Sequence, residues 1–269
     1  MIPNILSVAG TDPSGGAGIH ADIKAISANG AYAMAVVTVL VAQTTTGVTA
    51  IHDVGADFVT AQLDTLCADV RVDAVKIGLL PNASVIAAVV AALERWTLPR
   101  VVVDPVLVAT SGDALAGPDA VAALRDQLLP KADLITPNVP EAAALLDVAP
   151  AADVAAMRAQ AVRLLELGPH RVLLKGGHLT GPRCVDVLAT RDGRIEELVG
   201  ARVVTTNDHG TGCTLSAAIA ALRPQRPSWS AAIADAKRYL TGALEAAGDL
   251  EVGAGHGPVH HFWALRARS

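Results

Sequence analysis

Short runs of Val, Ile and Leu recur along this 269-residue chain, each followed by a stretch of helical periodicity. NILSVA (4–9) precedes AGIHADIKAISANG (17–30), and MAVVTVLVA (34–42) precedes ADFVTAQLDTLCADV (56–70). DAVKIGLL (73–80) precedes ASVIAAVVAALERW (83–96), and RVVVDPVLV (100–108) precedes PDAVAALRDQLL (118–129). DLITPN (133–138) leads into VPEAAALL (139–146) and VAAMRAQAVRLLELG (154–168), before RVLLKGG (171–177). Apolar strands without polar alternation are buried on both faces, so this rhythm predicts an α/β fold with a parallel central sheet and helices on each side. Beyond residue 180 the rhythm breaks. CVDVLATRDGRIEELVGARVV reads as a short antiparallel section near residues 184–205, turning at Asp192-Gly193, and two helices follow. No repeat or linker interrupts the chain, which predicts one domain over residues 1–269.

Composition narrows the function classes. Hydrophobic residues make up 52% and charged residues 17%, which implies a large packed core, and a net charge of -5 gives no general attraction to nucleic acid or anionic membranes. Three cysteines at 67, 184 and 213 fit neither a disulfide framework nor a C-x-x-C site. The first residues, MIPNILSVAGTDPSGG, lack a signal-peptide pattern, and AYAMAVVTVLVAQ is too short to span a bilayer. A cytoplasmic protein is expected.

Ligands of open α/β sheets gather beyond the carboxyl ends of the strands. That rim holds Gly10–Asp12, Gln43, Gly78–Leu79, Asp104–Val106, Asn138 and Lys175–Gly177. GAGIHA (16–21) resembles a dinucleotide fingerprint, but the next strand ends in Gln43 and supplies no ribose-binding carboxylate. A tight Gly-rich turn below a small-molecule ligand is the better reading. No P-loop or H-E-x-x-H pattern occurs. The histidines of HGPVHHF (His256, His260, His261) have no acidic or cysteine company and read as structural.

HGTGC (209–213) opens a helix. Such a start presents free backbone N–H groups and a positive dipole end, and its glycines admit a phosphate group. Cys213 has three readings: inert filler, hydrolase nucleophile, or a general base whose pKa of about 8.5 falls towards neutrality at a helix N-terminus. The third fits a phosphate device, while composition alone favours filler. Lys175 closes a phosphate cluster or snorkels to solvent. Asp104, Asn138 and Glu141 are oxygen ligands of the kind Mg²⁺ takes alongside substrate phosphates, although a carboxylate in a first helical turn, as at Glu141, is favoured in any case. Together these features indicate phosphoryl transfer.

Nine ordered motifs extend the pattern over nearly the whole chain: AGTDPSGGAGIHADIKA, VAQTTTGV, VDAVKIGLL, DPVLVATSGD, LITPNVPEA, KGGH, HGTGCTLSAA, AKRYL and GPVHHF. In these the sequence resembles the hydroxymethylpyrimidine kinase/phosphomethylpyrimidine kinase family of thiamine biosynthesis, within the ribokinase-like superfamily. The resemblance implies a three-layer α/β/α ribokinase-like fold, a homodimer, and use of ATP and Mg²⁺ to phosphorylate 4-amino-5-hydroxymethyl-2-methylpyrimidine and then its monophosphate. It implies that Gln43 holds the aminopyrimidine edge, with Gly10, Asp12, Leu79 and Val106 shaping the pocket. By the same resemblance, Gly210, Thr211 and Gly212 would form the anion hole with Cys213 as base, Lys175, Lys237 and Thr205 would lie near the nucleotide phosphates, and Asp104, Asn138 and Glu141 would organise Mg²⁺. Two positions depart from the pattern: Leu79 stands where the family commonly has Met, and Thr44 where it commonly has Asn. The first is nearly volume-conserving.

A pyridoxine-type kinase on the same fold is the nearest alternative, because a hydroxymethyl pyridine has a similar shape. A non-catalytic precursor-binding protein and a cysteine hydrolase stand behind it.

Overall fold

A computed structural model describes residues 1–107 and 117–266. The motif DPVLVATSGD therefore lies outside the described residues from 108 onward.

Eight strands form one sheet. β1 (Asn4–Ala9), β2 (Tyr32–Val37), β5 (Ala74–Ile77), β6 (Val101–Val103), β7 (Leu134–Ile135) and β8 (Arg171–Leu174) run parallel, while β9 (Arg183–Thr190) and β10 (Ile195–Ala201) are antiparallel. The order is β10-β9-β8-β7-β6-β5-β1-β2. Asp192-Gly193 turns the β9–β10 hairpin, with Gly193 at φ 83. The mostly parallel sheet with an antiparallel section matches the expectation.

The helices divide into two layers because the strands alternate. Ile5, Ala74, Val102, Leu134, Leu173 and Leu188 face α1 (Gly18–Ala28), α7 (Thr211–Leu222) and α8 (Trp229–Glu245). Leu6, Val75, Val103, Ile135, Val172 and Val187 face α2 (Ala56–Asp69), α3 (Ala83–Arg95), α4 (Pro118–Ala123), α5 (Val139–Leu146) and α6 (Val154–Leu165). This is a three-layer α/β/α arrangement. Asn82, Asp153 and Ser228 cap α3, α6 and α8 by accepting from backbone N–H groups one turn on. The single helix expected over 118–129 continues past α4 as a π turn (Leu124–Leu128) and a 3₁₀ turn (Leu129–Lys131).

α7 is the most enclosed helix: every residue from Thr214 to Leu222 is buried. Its alanines let it sit between α1 and α8 and against β5 and β6.

One strand expectation needs correction. MAVVTVLVA is two strands with a corner at Thr38, whose hydroxyl donates to the Leu79 carbonyl at 2.7 Å. β2 lies at the sheet edge, and the Gln62 side chain engages both backbone groups of Val37 at 3.0 Å. After Val37 the chain leaves the sheet. β3 (Val39–Thr44) then pairs with β4 (Gly47–Asp53) in a separate two-stranded hairpin that the sequence reading missed. Gln43 therefore stands on this hairpin and not at the rim of the main sheet.

Leu134 lies in the middle of the sheet with no exposure. Leu134→Ala is expected to cost about 2–5 kcal/mol, read as a lower urea midpoint with an unchanged m-value.

Candidate active site

A cleft of about 510 Å³ opens at the carboxyl ends of the parallel strands. It brings together Gly10, Asp12, Gln43, Leu79, Asp104, Val106, Asn138, Glu141, Lys175 and residues 210–213. The rim predicted from the strand pattern is thus assembled in space, with the β3–β4 hairpin contributing Val41 and Gln43.

The charged floor is built on neighbouring strands. Asp104, 2% exposed, follows β6, and its Oδ1 accepts from Lys175 Nζ at 2.9 Å and from the Thr136 hydroxyl at 2.9 Å. Burial works against ionisation of Asp104, but Lys175 and Lys76 outweigh it and hold the carboxyl below its usual range. Lys175 loses from burial and gains more from Asp104 and Glu141, so it stays charged. Glu141 is pushed up to about 7, chiefly by burial, with Lys175 opposing and Asp104 reinforcing.

Asn138 and Glu141 form a capping box at the start of α5: Glu141 N–H donates to Asn138 Oδ1 at 2.8 Å, and Asn138 N–H to Glu141 Oε2 at 2.7 Å. Asn138 therefore acts here as the cap that orients Glu141. No group of three or more His, Cys, Asp or Glu at metal-holding distance occurs among the described residues. Two carboxylates beside a phosphate-sized space nevertheless suit Mg²⁺, which keeps several waters and takes the rest of its shell from phosphate. Asp104 and Glu141 fit that requirement.

The N-terminus of α7 faces this floor. Gly210 caps it at φ 78, a left-handed conformation, and a Cβ there would overlap the Gly16 carbonyl oxygen. At Gly212 a Cβ would lie 3.1 Å from Lys175 Nζ and 3.4 Å from Asp104 Oδ2, so the missing side chain is what leaves the ammonium and the helix end open to one anion. Cys213 also faces the start of α1, whose Gly18 amide donates towards the thiol.

The expected low pKa of Cys213 is overturned. Burial pushes the thiol up to about 11, with Lys76 opposing and Asp22 and Asp104 adding to the rise. Lys76 and the Gly18 N–H favour the thiolate but do not offset burial and the two carboxylates. Lys76 and Asp22 form a fully buried ion pair of 2.8 Å, and Asp22 also accepts from Ser7 Oγ at 2.6 Å. Sequence reading missed Lys76, although a lysine inside an apolar strand was its signal.

On the opposite wall, Asp12 accepts from His209 Nε2 at 2.7 Å, and Gln43 Nε2 lies 3.4 Å from the same ring nitrogen. The turn of the β3–β4 hairpin is strapped to the C-terminal loop: Gly255 N–H donates to Thr45 Oγ1 at 3.1 Å, and His209 N–H donates to the Gly257 carbonyl at 3.0 Å. Of the other histidines, His261 is buried in the core, whereas His256 lines the cleft and has the acidic company that the sequence did not suggest. His261 Nε2 pairs with Thr214 Oγ1 at 3.0 Å, and His256 Nδ1 with Asp208 Oδ1 at 2.8 Å. Two expected residues do not line the cleft. Thr205 accepts from Asn207 N–H at 3.0 Å, and Lys237 is ion-paired with Asp186, which also holds Gly176 N–H at 2.9 Å. Lys237 thus reaches the site only through the residue beside Lys175.

The Phosphomethylpyrimidine kinase family model matches residues 12–260. This chain belongs to that family. It is 52% identical over 261 residues to the hydroxymethylpyrimidine/phosphomethylpyrimidine kinase of Escherichia coli K12, covering 97% of this chain and 98% of that one. Among solved structures, Bacillus subtilis pyridoxal kinase in an ADP complex superposes with a TM-score of 0.90 at 33% identity, covering 99% of this chain and 100% of that one. The phosphomethylpyrimidine kinase of Clostridium difficile 630 superposes with a TM-score of 0.79 at 36% identity, covering 91% and 100%. The three-layer fold is accordingly ribokinase-like, and the family's members are phosphotransferases.

Two tests follow from the geometry. In ligand-free protein, iodoacetamide labelling of Cys213, followed by peptide mass spectrometry, should accelerate about tenfold per pH unit between 7 and 9, because a thiol near 11 ionises only as pH rises. A plateau near pH 8 would show an activated thiolate. Asp12→Ala leaves the N–H groups of Ser14 and Ala17 and His209 Nε2 without their acceptor, and should lower stability by about 3 kcal/mol in urea at pH 7.

Proposed function

We propose that the protein uses ATP to phosphorylate 4-amino-5-hydroxymethyl-2-methylpyrimidine and then the resulting monophosphate to the diphosphate, in thiamine biosynthesis. The observation that carries this reading is the convergence of Lys175, Asp104 and the Gly210–Gly212 helix start on one anion-sized space beneath Gln43. The family membership and the 52% identity to the E. coli kinase support it independently.

The hydroxymethyl oxygen attacks the γ-phosphorus, the bond to the β,γ-bridging oxygen breaks, and ADP leaves. The N–H groups of α7 and the Lys175 ammonium are preorganised donors for the charge on the transferring group, the dominant contribution in phosphoryl transfer. Asp104 and Glu141 would hold Mg²⁺, which would neutralise phosphate charge there. Asp104 also keeps Lys175 charged and in place at 2.9 Å. Gln43 offers a carboxamide to the aminopyrimidine edge, while Leu79 and Val106 bound the ring. Cys213 takes the hydroxyl proton. Only the thiolate can accept it, and with the thiol pushed up to about 11 that form is a small fraction at neutral pH, so the base becomes more available as pH rises. In the second turnover the nucleophile is an anionic phosphate and needs no base.

A second reading, phosphorylation of a pyridoxine-type ring, is favoured by the TM-score of 0.90 to B. subtilis pyridoxal kinase. We further place the chain in the cytoplasm as a homodimer acting through one kinase domain, which light scattering on the purified protein tests for the assembly. Among the described residues, no helix is long and apolar enough to cross a membrane.

Phosphorus NMR of protein, Mg-ATP and the hydroxymethylpyrimidine, with pyridoxine in parallel, decides between the two substrates: a monophosphate and then a diphosphate on the pyrimidine is expected. Phosphate on pyridoxine alone would transfer the function to the second reading. Cys213→Ala should depress the first phosphorylation at least tenfold more than the second, whereas equal losses would make the thiol a packing group. Lys175→Met should reduce both by about 10²–10³.

A further inference from the structure

Asp12, His209 and Gln43 come from three separate stretches of chain and meet at the wall of the cleft. Asp12 is 1% exposed, and three donors converge on its two oxygens. Ser14 N–H donates to Oδ1 at 2.9 Å, while Ala17 N–H at 2.8 Å and His209 Nε2 at 2.7 Å share Oδ2. Burial opposes ionisation of Asp12, but the hydrogen bonds from His209 and Ser14 outweigh it and keep the carboxyl below its usual range. An ionised carboxylate only accepts, so Nε2 is a ring nitrogen that carries a proton. Gln43 Nε2 lies 3.4 Å from that same nitrogen, a donor set against a donor. A carboxamide turns end for end at little cost, and its neighbours choose its polarity. A protonated ring nitrogen has no lone pair to accept the amide N–H groups, so it favours the carboxamide oxygen, which can share the proton that Asp12 holds at 2.7 Å.

We propose that Asp12 and His209 are specificity-determining positioning residues, which fix the Gln43 carboxamide with its oxygen towards His209 and its amide protons towards the bound ring. Held this way, Gln43 keeps one oxygen lone pair and its N–H groups for the ligand. An aminopyrimidine edge offers a ring-nitrogen lone pair beside an exocyclic amine and satisfies both. A pyridine nitrogen flanked by methyl and C–H groups satisfies only one. The pocket therefore discriminates by hydrogen-bond polarity, which a shape-matched ring cannot imitate. This inference rests on the aminopyrimidine reading above. The competing role for His209 is packing alone, since its ring fills the space that a Cβ on Gly16 would occupy.

The test has two parts. Ring-nitrogen NMR of the ligand-free protein reads the His209 protonation pattern without any substrate: a proton on Nε2 is expected, and a neutral ring protonated only on Nδ1 overturns the proposal. Kinetics then compare the hydroxymethylpyrimidine with pyridoxine. His209→Leu should lower the ratio of their kcat/KM values about tenfold, chiefly through KM for the pyrimidine, the effect of about one hydrogen bond. His209→Gln, which restores an N–H near the Nε2 position, should recover most of the ratio. In a Gln43→Ala background, His209→Leu should leave the ratio unchanged. Equal losses on both rings, or a loss independent of Gln43, overturn the proposal. A wild-type protein that phosphorylates neither ring overturns the kinase reading itself, a different result from an active kinase whose ratio His209→Leu does not move.

Discussion

The enclosure of α7 is the constraint on which the rest of the structure depends. Nine consecutive buried residues, Thr214 to Leu222, fix this helix between α1, α8 and the sheet, so its N-terminus cannot move relative to the ends of β5 and β6. A helix dipole falls off within a turn and is useful only where its end is held. The alanines that permit close packing at one end therefore create the anion site at the other. Gly210 and Gly212 complete it by letting Gly16 and Lys175 approach where side chains would intrude.

Beside that helix end two lysines each have their own carboxylate: Lys76 with Asp22 and Lys175 with Asp104. Buried pairs of this kind contribute little net stability compared with apolar packing, because desolvation offsets much of the attraction. Their retention points to the site. The carboxylates keep the lysines charged in a place where burial alone would neutralise them. They also raise the Cys213 thiol, since Asp22 and Asp104 both oppose a third negative charge. One electrostatic arrangement thus readies the phosphate cradle and suppresses a free thiolate.

Much of this was legible in the sequence. Strand runs, the Asp192-Gly193 turn and the HGTGC helix start each have a local signature, and the carboxyl-end rule gathered their ends into one cleft. What stayed hidden depends on partners far along the chain. The corner at Thr38 is made by the Leu79 carbonyl, and β3 is a separate strand because β4 pairs with it outside the main sheet. Cys213 carried a helix-end signature that implied a lowered pKa, but the desolvation that reverses it comes from tertiary packing. His209 had no local signal either: its ring is placed by Asp12, 197 positions away. Thr205 and Lys237 were assigned by resemblance, and neither lines the cleft.

The strap between Thr45 and the loop at Gly253–Gly257 has a consequence for synthesis. β3 carries Gln43, and the same loop accepts the backbone N–H of His209 through Gly257. Both jaws of the pocket are thus tied off by a segment that leaves the ribosome long after the main strands. A nascent chain therefore has no finished recognition wall until residue 257 has emerged, after α7 and α8, two of the helices that cover one face of the sheet.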